Sequence, residues 1–131
     1  MLVVEDEAAL RDVAGRILSG AGYHVLAAEC GASALELAAR HEGAIDLLVS
    51  DVVMPRMSGR ELRQHVATLS PNTRVIFTSG YTDDAILRHG LLAAESDFLQ
   101  KPFTVHGLIK KVREVLDRAP AAGKELIGST A

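Results

Sequence analysis

Two periodicities of apolar residues alternate along the chain and predict alternating strands and helices. Residues 1–4 form a short apolar run. The next apolar positions, between Leu10 and Leu18, recur every three to four residues, as on one face of an amphipathic helix. The Gly-Ala-Gly segment at 20–22 predicts the end of this helix, because glycine is the usual residue just after a helix C-terminus.

The same alternation continues to residue 117. The predicted strands are 1–4, 23–28, 46–50, 74–79 and 97–100. The first and last predicted helices carry the apolar positions at 10–18 and 105–116, the second lies near 32–41, the third holds Leu62, Val66 and Leu69, and the fourth lies near 83–90. Ser58 is a candidate N-cap for the third helix, and the third strand is apolar as befits a strand covered on both faces. Five strands alternating with five helices predict a parallel sheet with helices on both of its faces.

Length and charge narrow the class of protein. The chain has 131 residues, and we expect one domain over 1–117 and a flexible tail or linker over 118–131. The short first strand suggests a domain cut from a longer chain. A net charge of −3 favours neither nucleic acid nor an anionic membrane. With no membrane span or signal peptide and a single cysteine, the expected location is the cytoplasm.

Polar side chains lie at or directly after the ends of four of the five predicted strands. They are Glu5 and Asp6, then Asp51, then Thr78 and Ser79, and finally Lys101 before Pro102. A parallel sheet brings these strand ends to one edge, where α/β proteins bind ligands. Clustered carboxylates repel one another unless a cation neutralises them, and oxygen ligands suit Mg²⁺. A carboxylate nucleophile, a metal ion, a lysine and a hydroxyl match phosphoryl transfer to an aspartate.

Each of these residues taken alone has an ordinary structural explanation. Asp6 can cap the first helix and Asp51 can open a turn. Thr78 is a common strand residue, and Lys101 is most simply a solvated charge. Their occurrence at equivalent ends of four strands is what favours a functional site.

Four segments of the chain resemble the receiver domain of two-component response regulators. They are "LVVEDE", "DLLVSDVVMPRMSG", "VIFTSG" and "FLQKPF", and the resemblance extends over residues 1–117. It implies a flavodoxin-like, doubly wound (βα)5 fold with the strand order 2-1-3-4-5. The segments "FTSGYTDD" and "FLQKPFT" also resemble receivers within hybrid sensor histidine kinases, so that origin stays open as an alternative.

The resemblance also implies a role for each residue of the metal site. Asp51 would be the phosphoacceptor. Asp6 and Asp51 would bind Mg²⁺ through their side chains, together with the backbone carbonyl of Val53. Glu5 would act through a metal-bound water.

The remaining implied roles concern the phosphoryl group and the switch. Lys101 would hold the phosphoryl group, and Thr78, with Ser79 beside it, would move toward it. Phe98 occupies the position of a rotating aromatic residue. The peptide bond between Lys101 and Pro102 would be cis.

The implied function is phosphorelay signalling. A sensor histidine kinase or a histidine phosphotransfer protein would donate the phosphoryl group. The expected readout is a face built from the predicted helix near 83–90, the fifth strand and the last helix, and this face could also form a weak homodimer. We expect no independent turnover enzyme beyond self-catalysed phosphotransfer and slow autodephosphorylation.

Two alternative functions fit the sequence less well than the receiver interpretation. A Mg²⁺-dependent phosphatase with an aspartate nucleophile would want a second aspartate two residues later, and Val53 stands there instead. A degenerate receiver that only binds partners would have lost Asp51, Lys101 or Thr78, and all three are present.

Overall fold

Five parallel strands form a single sheet in the order β2-β1-β3-β4-β5. The computed structural model describes residues 1–43, 45–54, 56–79, 97–101 and 103–117. Within them the strands are β1 Leu2–Val4, β2 Leu26–Ala28, β3 Leu47–Asp51, β4 Arg74–Ser79 and β5 Asp97–Gln100, and the helices are α1 Ala8–Gly20, α2 Gly31–Arg40, α3 Gly59–Leu69 and α4 Val105–Asp117. The predicted doubly wound fold and its strand order are confirmed.

Among the described helices, two pack against each face of the sheet. Alternate residues of β1 point to opposite faces, as they must in a strand. Leu2 and Val4 belong to the core on the side of α2 and α3, whereas Val3 belongs to the core on the side of α1 and α4. All five residues of β3 are buried, which confirms the expectation of a strand covered on both faces.

The second strand is shorter than predicted, because its first predicted residues complete the end of α1. The amide of Gly22 donates to the carbonyl of Ser19, and that of Tyr23 donates to the carbonyl of Leu18. Gly22 has a φ of 98°, the left-handed conformation that this kind of helix end requires. The predicted terminator is therefore confirmed, and β2 begins only at Leu26.

The predicted N-cap of the third helix is also confirmed. Ser58 accepts a hydrogen bond from the amide of Glu61, while the carboxylate of Glu61 accepts one from the amide of Ser58. This reciprocal capping box fixes the start of α3 immediately after the loop that follows β3.

Two predicted segments lie outside the described residues. They are the helix near 83–90 and the tail at 118–131. Among the helices that the structure describes, none has both the length and the apolar character needed to span a bilayer.

Candidate functional site

The ends of the central strands meet in register at one edge of the sheet. Val4 pairs with Ser50 on β3, and Asp51 pairs with Thr78 on β4. Glu5, one residue beyond β1, is 6% exposed, while Asp51 is 5% exposed and Thr78 is 4% exposed. The sheet therefore holds two carboxyl groups and a hydroxyl in a buried cluster.

Lys101 joins the two buried carboxylates. Its Nζ lies 2.6 Å from Oε1 of Glu5 and 2.5 Å from Oδ1 of Asp51. Burial lowers the pKa of the Lys101 ammonium, but its hydrogen bonds to Asp51 and Glu5 and the charges of both carboxylates outweigh burial and raise the pKa above its ordinary value. Lys101 is therefore charged at neutral pH, as the partner of a negatively charged group must be.

Asp51 also accepts a hydrogen bond from the hydroxyl of Thr78. Oγ1 of Thr78 donates to Oδ1 of Asp51 over 2.8 Å, so this one oxygen faces both the hydroxyl and the Lys101 ammonium. Hydrogen bonds to a carboxylate are charge-assisted and stronger than neutral ones. The orientation of the Asp51 side chain is thus determined by a residue of β4 and by the residue that follows β5.

The acidic group fits a hard divalent cation. Carboxylate oxygens of Glu5, Asp6 and Asp51 all lie within 4.8 Å of one another. Within the described part of the chain, the ammonium of Lys101 contacts two of these three carboxylates, Glu5 and Asp51, so negative charge is in excess and repulsion among the carboxylates favours a cation. An oxygen-only donor set with the exposed Asp6 on its solvent side suits Mg²⁺, which keeps several waters when bound.

Glu5 is held from three directions. Its Oε1 contacts Lys101, its Oε2 accepts a hydrogen bond from the amide of Glu7, and its main-chain carbonyl accepts one from Nη1 of Arg11 over 2.8 Å. The contribution of Arg11 was missed in the sequence, where it reads only as a polar position on α1. Its place one turn into the helix after the acidic run is the one available signal.

The other predicted site residues lie on β4 and β5 or just after β3. Val53 is two residues beyond Asp51, and its side chain is 65% exposed. Ser79 ends β4 in register with Gln100. Phe98 is partly buried, and its ring centroid lies 5.9 Å from that of Phe77; its role as a rotating aromatic residue stays a prediction.

The predicted cis bond cannot be compared with the structure, because Pro102 lies outside the described residues. Lys101 itself is described, and its contacts with Glu5 and Asp51 are those given above.

Comparisons with known proteins agree with this arrangement. The family model for the response regulator receiver domain matches residues 1–113. Over 118 residues the chain is 41% identical to the sensor kinase CckA of Brucella abortus, and this alignment covers 90% of the chain and 12% of CckA. Over 116 residues the chain is 31% identical to the response regulator receiver protein CpdR of Brucella abortus, and this alignment covers 88% of the chain and 95% of CpdR.

Solved structures show the same fold. A response regulator receiver domain protein from Clostridium thermocellum superposes with a TM-score of 0.77 at 26% identity, over 96% of each chain. The chain spans only a small part of CckA but nearly all of CpdR. Together with the strand order and the acidic edge of the sheet, these matches show that the chain belongs to the response regulator receiver domain family, whose members act in phosphorelay signalling with histidine kinases or phosphotransfer proteins.

Proposed function

We propose that Asp51 is the phosphoacceptor of this receiver domain. The observation that carries the proposal is the convergence on Oδ1 of Asp51 of the Lys101 ammonium at 2.5 Å and the Thr78 hydroxyl at 2.8 Å. A carboxylate next to a fixed ammonium and a hydroxyl donor has what phosphoryl transfer requires, namely a nucleophile and groups that offset the charge of the phosphoryl oxygens.

The proposed transfer starts from a phosphohistidine on a kinase or phosphotransfer protein. A carboxylate oxygen of Asp51 forms a bond to phosphorus while the bond from phosphorus to the imidazole nitrogen breaks. The electron pair of the broken bond stays with the imidazole. The Lys101 ammonium then exchanges its contact with the Asp51 carboxylate for one with a phosphoryl oxygen, and Glu5 keeps the lysine in place through its own contact.

A metal ion completes the proposed site. Asp6 and Asp51 would bind Mg²⁺ through their carboxylates, the backbone carbonyl of Val53 would be the third protein ligand, and Glu5 would act through a metal-bound water. Mg²⁺ supplies positive charge that offsets both the carboxylates and the phosphoryl oxygens. The excess negative charge of the acidic group supports this assignment.

The proposed conformational change begins at the hydrogen bond between Thr78 and Asp51. A phosphoryl group on Asp51 adds charge and acceptor oxygens, so the Thr78 hydroxyl has a new acceptor beyond the carboxylate that it contacts now. Ser79 and Phe98 would respond with it, the first beside Thr78 and the second through its packing against Phe77. The two states would differ in their populations before and after phosphorylation.

The partners and location of the protein belong to the same proposal. A sensor histidine kinase or phosphotransfer protein is the donor. The output is contact with another protein, or a weak homodimer, through the face that includes β5 and α4, in the cytoplasm. The likeness to both CckA and CpdR does not favour a hybrid kinase over a separate receiver.

Incubation with acetyl phosphate tests the proposal. With Mg²⁺ the protein should gain a phosphoryl group, seen as a mobility shift on a Phos-tag gel, and it should gain none in excess EDTA. A Mg²⁺-dependent phosphatase would instead release inorganic phosphate continuously without accumulating phosphoprotein. That result, or equal labelling with and without Mg²⁺, would contradict the proposed function.

A further inference from the structure

We infer that Gly59 is a positioning residue for Asp51, an inference that rests on the proposed phosphoacceptor role. Gly59 is the first residue of α3 and is buried. A β-carbon at this position would lie 2.1 Å from the carbonyl oxygen of Asp51 and 3.0 Å from its carbonyl carbon. Only glycine therefore lets the start of α3 lie directly against the main chain of Asp51.

The start of α3 is held firmly in this place. The amide of Gly59 donates to the carbonyl of Val52 over 2.9 Å, and the capping box of Ser58 and Glu61 orders the same turn. On the opposite side, the amide of Val52 donates to the carbonyl of Thr78 over 3.0 Å. The main chain at the end of β3 is thus clamped between α3 and β4.

This clamp determines where the Asp51 carboxylate lies. Oδ1 of Asp51 contacts Lys101 at 2.5 Å and Thr78 at 2.8 Å, and both distances follow from the position of the Asp51 main chain. Residue 53, whose carbonyl is the proposed third metal ligand, follows directly after the clamped segment. Gly59 is not proposed to contact a reacting atom; it acts through the main chain that carries the Asp51 carboxylate and the carbonyl of residue 53.

An added methyl group cannot be accommodated by a change of rotamer. The atoms that it would meet belong to the main chain of Asp51, with Cε1 of Phe77 next at 3.2 Å. Restoring an ordinary contact requires Asp51 or α3 to move by about 1 Å, and a misplacement of that size can cost about 100-fold in rate. Gly59→Ala should therefore slow phosphorylation even in correctly folded molecules.

Gly31 provides a matched control. It is also buried and is also the first residue of a helix, α2. A β-carbon there would lie 2.6 Å from Sδ of Met57, with the Cβ and Cγ atoms of the same side chain next. Because the thioether end of Met57 can rotate away, Gly31→Ala makes the same change without moving the main chain of Asp51.

The experiment compares phosphorylation by acetyl phosphate in Mg²⁺ for the wild type, Gly59→Ala and Gly31→Ala. Rates are measured at saturating acetyl phosphate and divided by the folded fraction from urea unfolding. We expect Gly59→Ala to be about 100-fold slower, with weaker Mg²⁺ binding, and Gly31→Ala to stay close to the wild type. An unchanged rate for Gly59→Ala would overturn the inference, whereas a wild type that is not phosphorylated would overturn the proposed function instead.

Loss of stability must be separated from loss of positioning. Val66→Ala removes buried volume from α3, where Val66 is 1% exposed, but adds nothing near Asp51; its rate per folded molecule should match the wild type, and a rate as low as that of Gly59→Ala would overturn the inference. If Gly59→Ala does not fold, it is repeated with Gly15→Ala, a stabilising change into open space, and trimethylamine N-oxide. A chain that stays unfolded there also overturns the inference, because Gly59 would then serve the fold as a whole.

Discussion

The two edges of the parallel sheet use their charged residues in opposite ways. At the carboxyl edge, Glu5 and Asp51 are buried near each other and share the single ammonium of Lys101. At the amino edge, Nη1 of Arg74 donates to the main-chain carbonyls of Val115, over 2.7 Å, and Leu116. The first edge gathers like charges, and the second uses a charge to cap the last turn of α4.

A cleft also opens at the amino edge, lined among others by Asp46, Asn72 and Arg74. Its charges are of both signs, and the guanidinium of Arg74 is already engaged by the end of α4. Buried charges of one sign cost stability, so a cluster of them persists where chemistry requires it, whereas hydrogen bonds to helix ends contribute stability. Crowding of like charges therefore identifies the carboxyl edge of the sheet as the candidate functional site.

The largest difference in labelling should appear when the aspartates at the two ends of β3 are each replaced by asparagine. Asp51→Asn should abolish labelling by acetyl phosphate, because an amide is not a phosphoryl acceptor of this kind. Asp46→Asn, at the exposed position before the same strand, should be labelled like the wild type. Phos-tag gels measure both, and residual stoichiometric labelling of Asp51→Asn would mean that another residue accepts the phosphoryl group.

The amino edge should respond in stability instead. Arg74→Ala leaves the last-turn carbonyls of α4 without their donor, so we expect the free energy of unfolding in urea to fall by about 1–3 kcal/mol, with phosphorylation of the folded protein unchanged. Arg16→Ala is the control, since the contact of Arg16 within the described part of the chain is an exposed ion pair with Asp12. Equal free energies of unfolding for the Arg74 and Arg16 variants would contradict the stabilising role of Arg74 at the amino edge.

A smaller effect, on Mg²⁺ affinity, should distinguish the exposed Asp6 of the candidate site from the exposed Asp12 of α1. Asp6→Ala should weaken Mg²⁺ binding about tenfold, which corresponds to about 1.4 kcal/mol, because it would remove one of the proposed metal ligands. Asp12→Ala changes an aspartate of α1 that faces solvent and should bind Mg²⁺ like the wild type. NMR titration gives both dissociation constants, and matching values would show that the metal site is misplaced.

The smallest expected effect concerns the lifetime of the phosphorylated state. The exposed Val53 offers no side-chain group to orient a hydrolytic water, so dephosphorylation should be slow. Val53→Asn should accelerate it by up to about tenfold, a change of about 1.4 kcal/mol in the barrier. A radiolabel time course measures the rate, and the same lifetime in both proteins would exclude a role for this position.

Most elements of the fold could be predicted from the sequence, because their signals are local. The apolar periodicities placed β4 and β5 with their observed bounds, and Ser58 indicated the start of α3. The start of β2 was placed too early, since its apolar pattern does not reveal that Tyr23 completes the end of α1. Such an error is typical where one residue fits two neighbouring elements.

The residues at the strand ends could also be predicted from the sequence, because parallel strands bring their carboxyl ends to one edge whatever the details of packing. The atoms that meet there could be identified only in the folded protein: the shared contacts of Lys101, the hydrogen bond of Thr78 to Asp51, and the close approach of Gly59 to the Asp51 carbonyl. It also decided the reach of Arg74 to α4, some forty residues along the chain. Distances of this kind depend on strand register and on how helices pack against the sheet, and neither is encoded in a local pattern of residues.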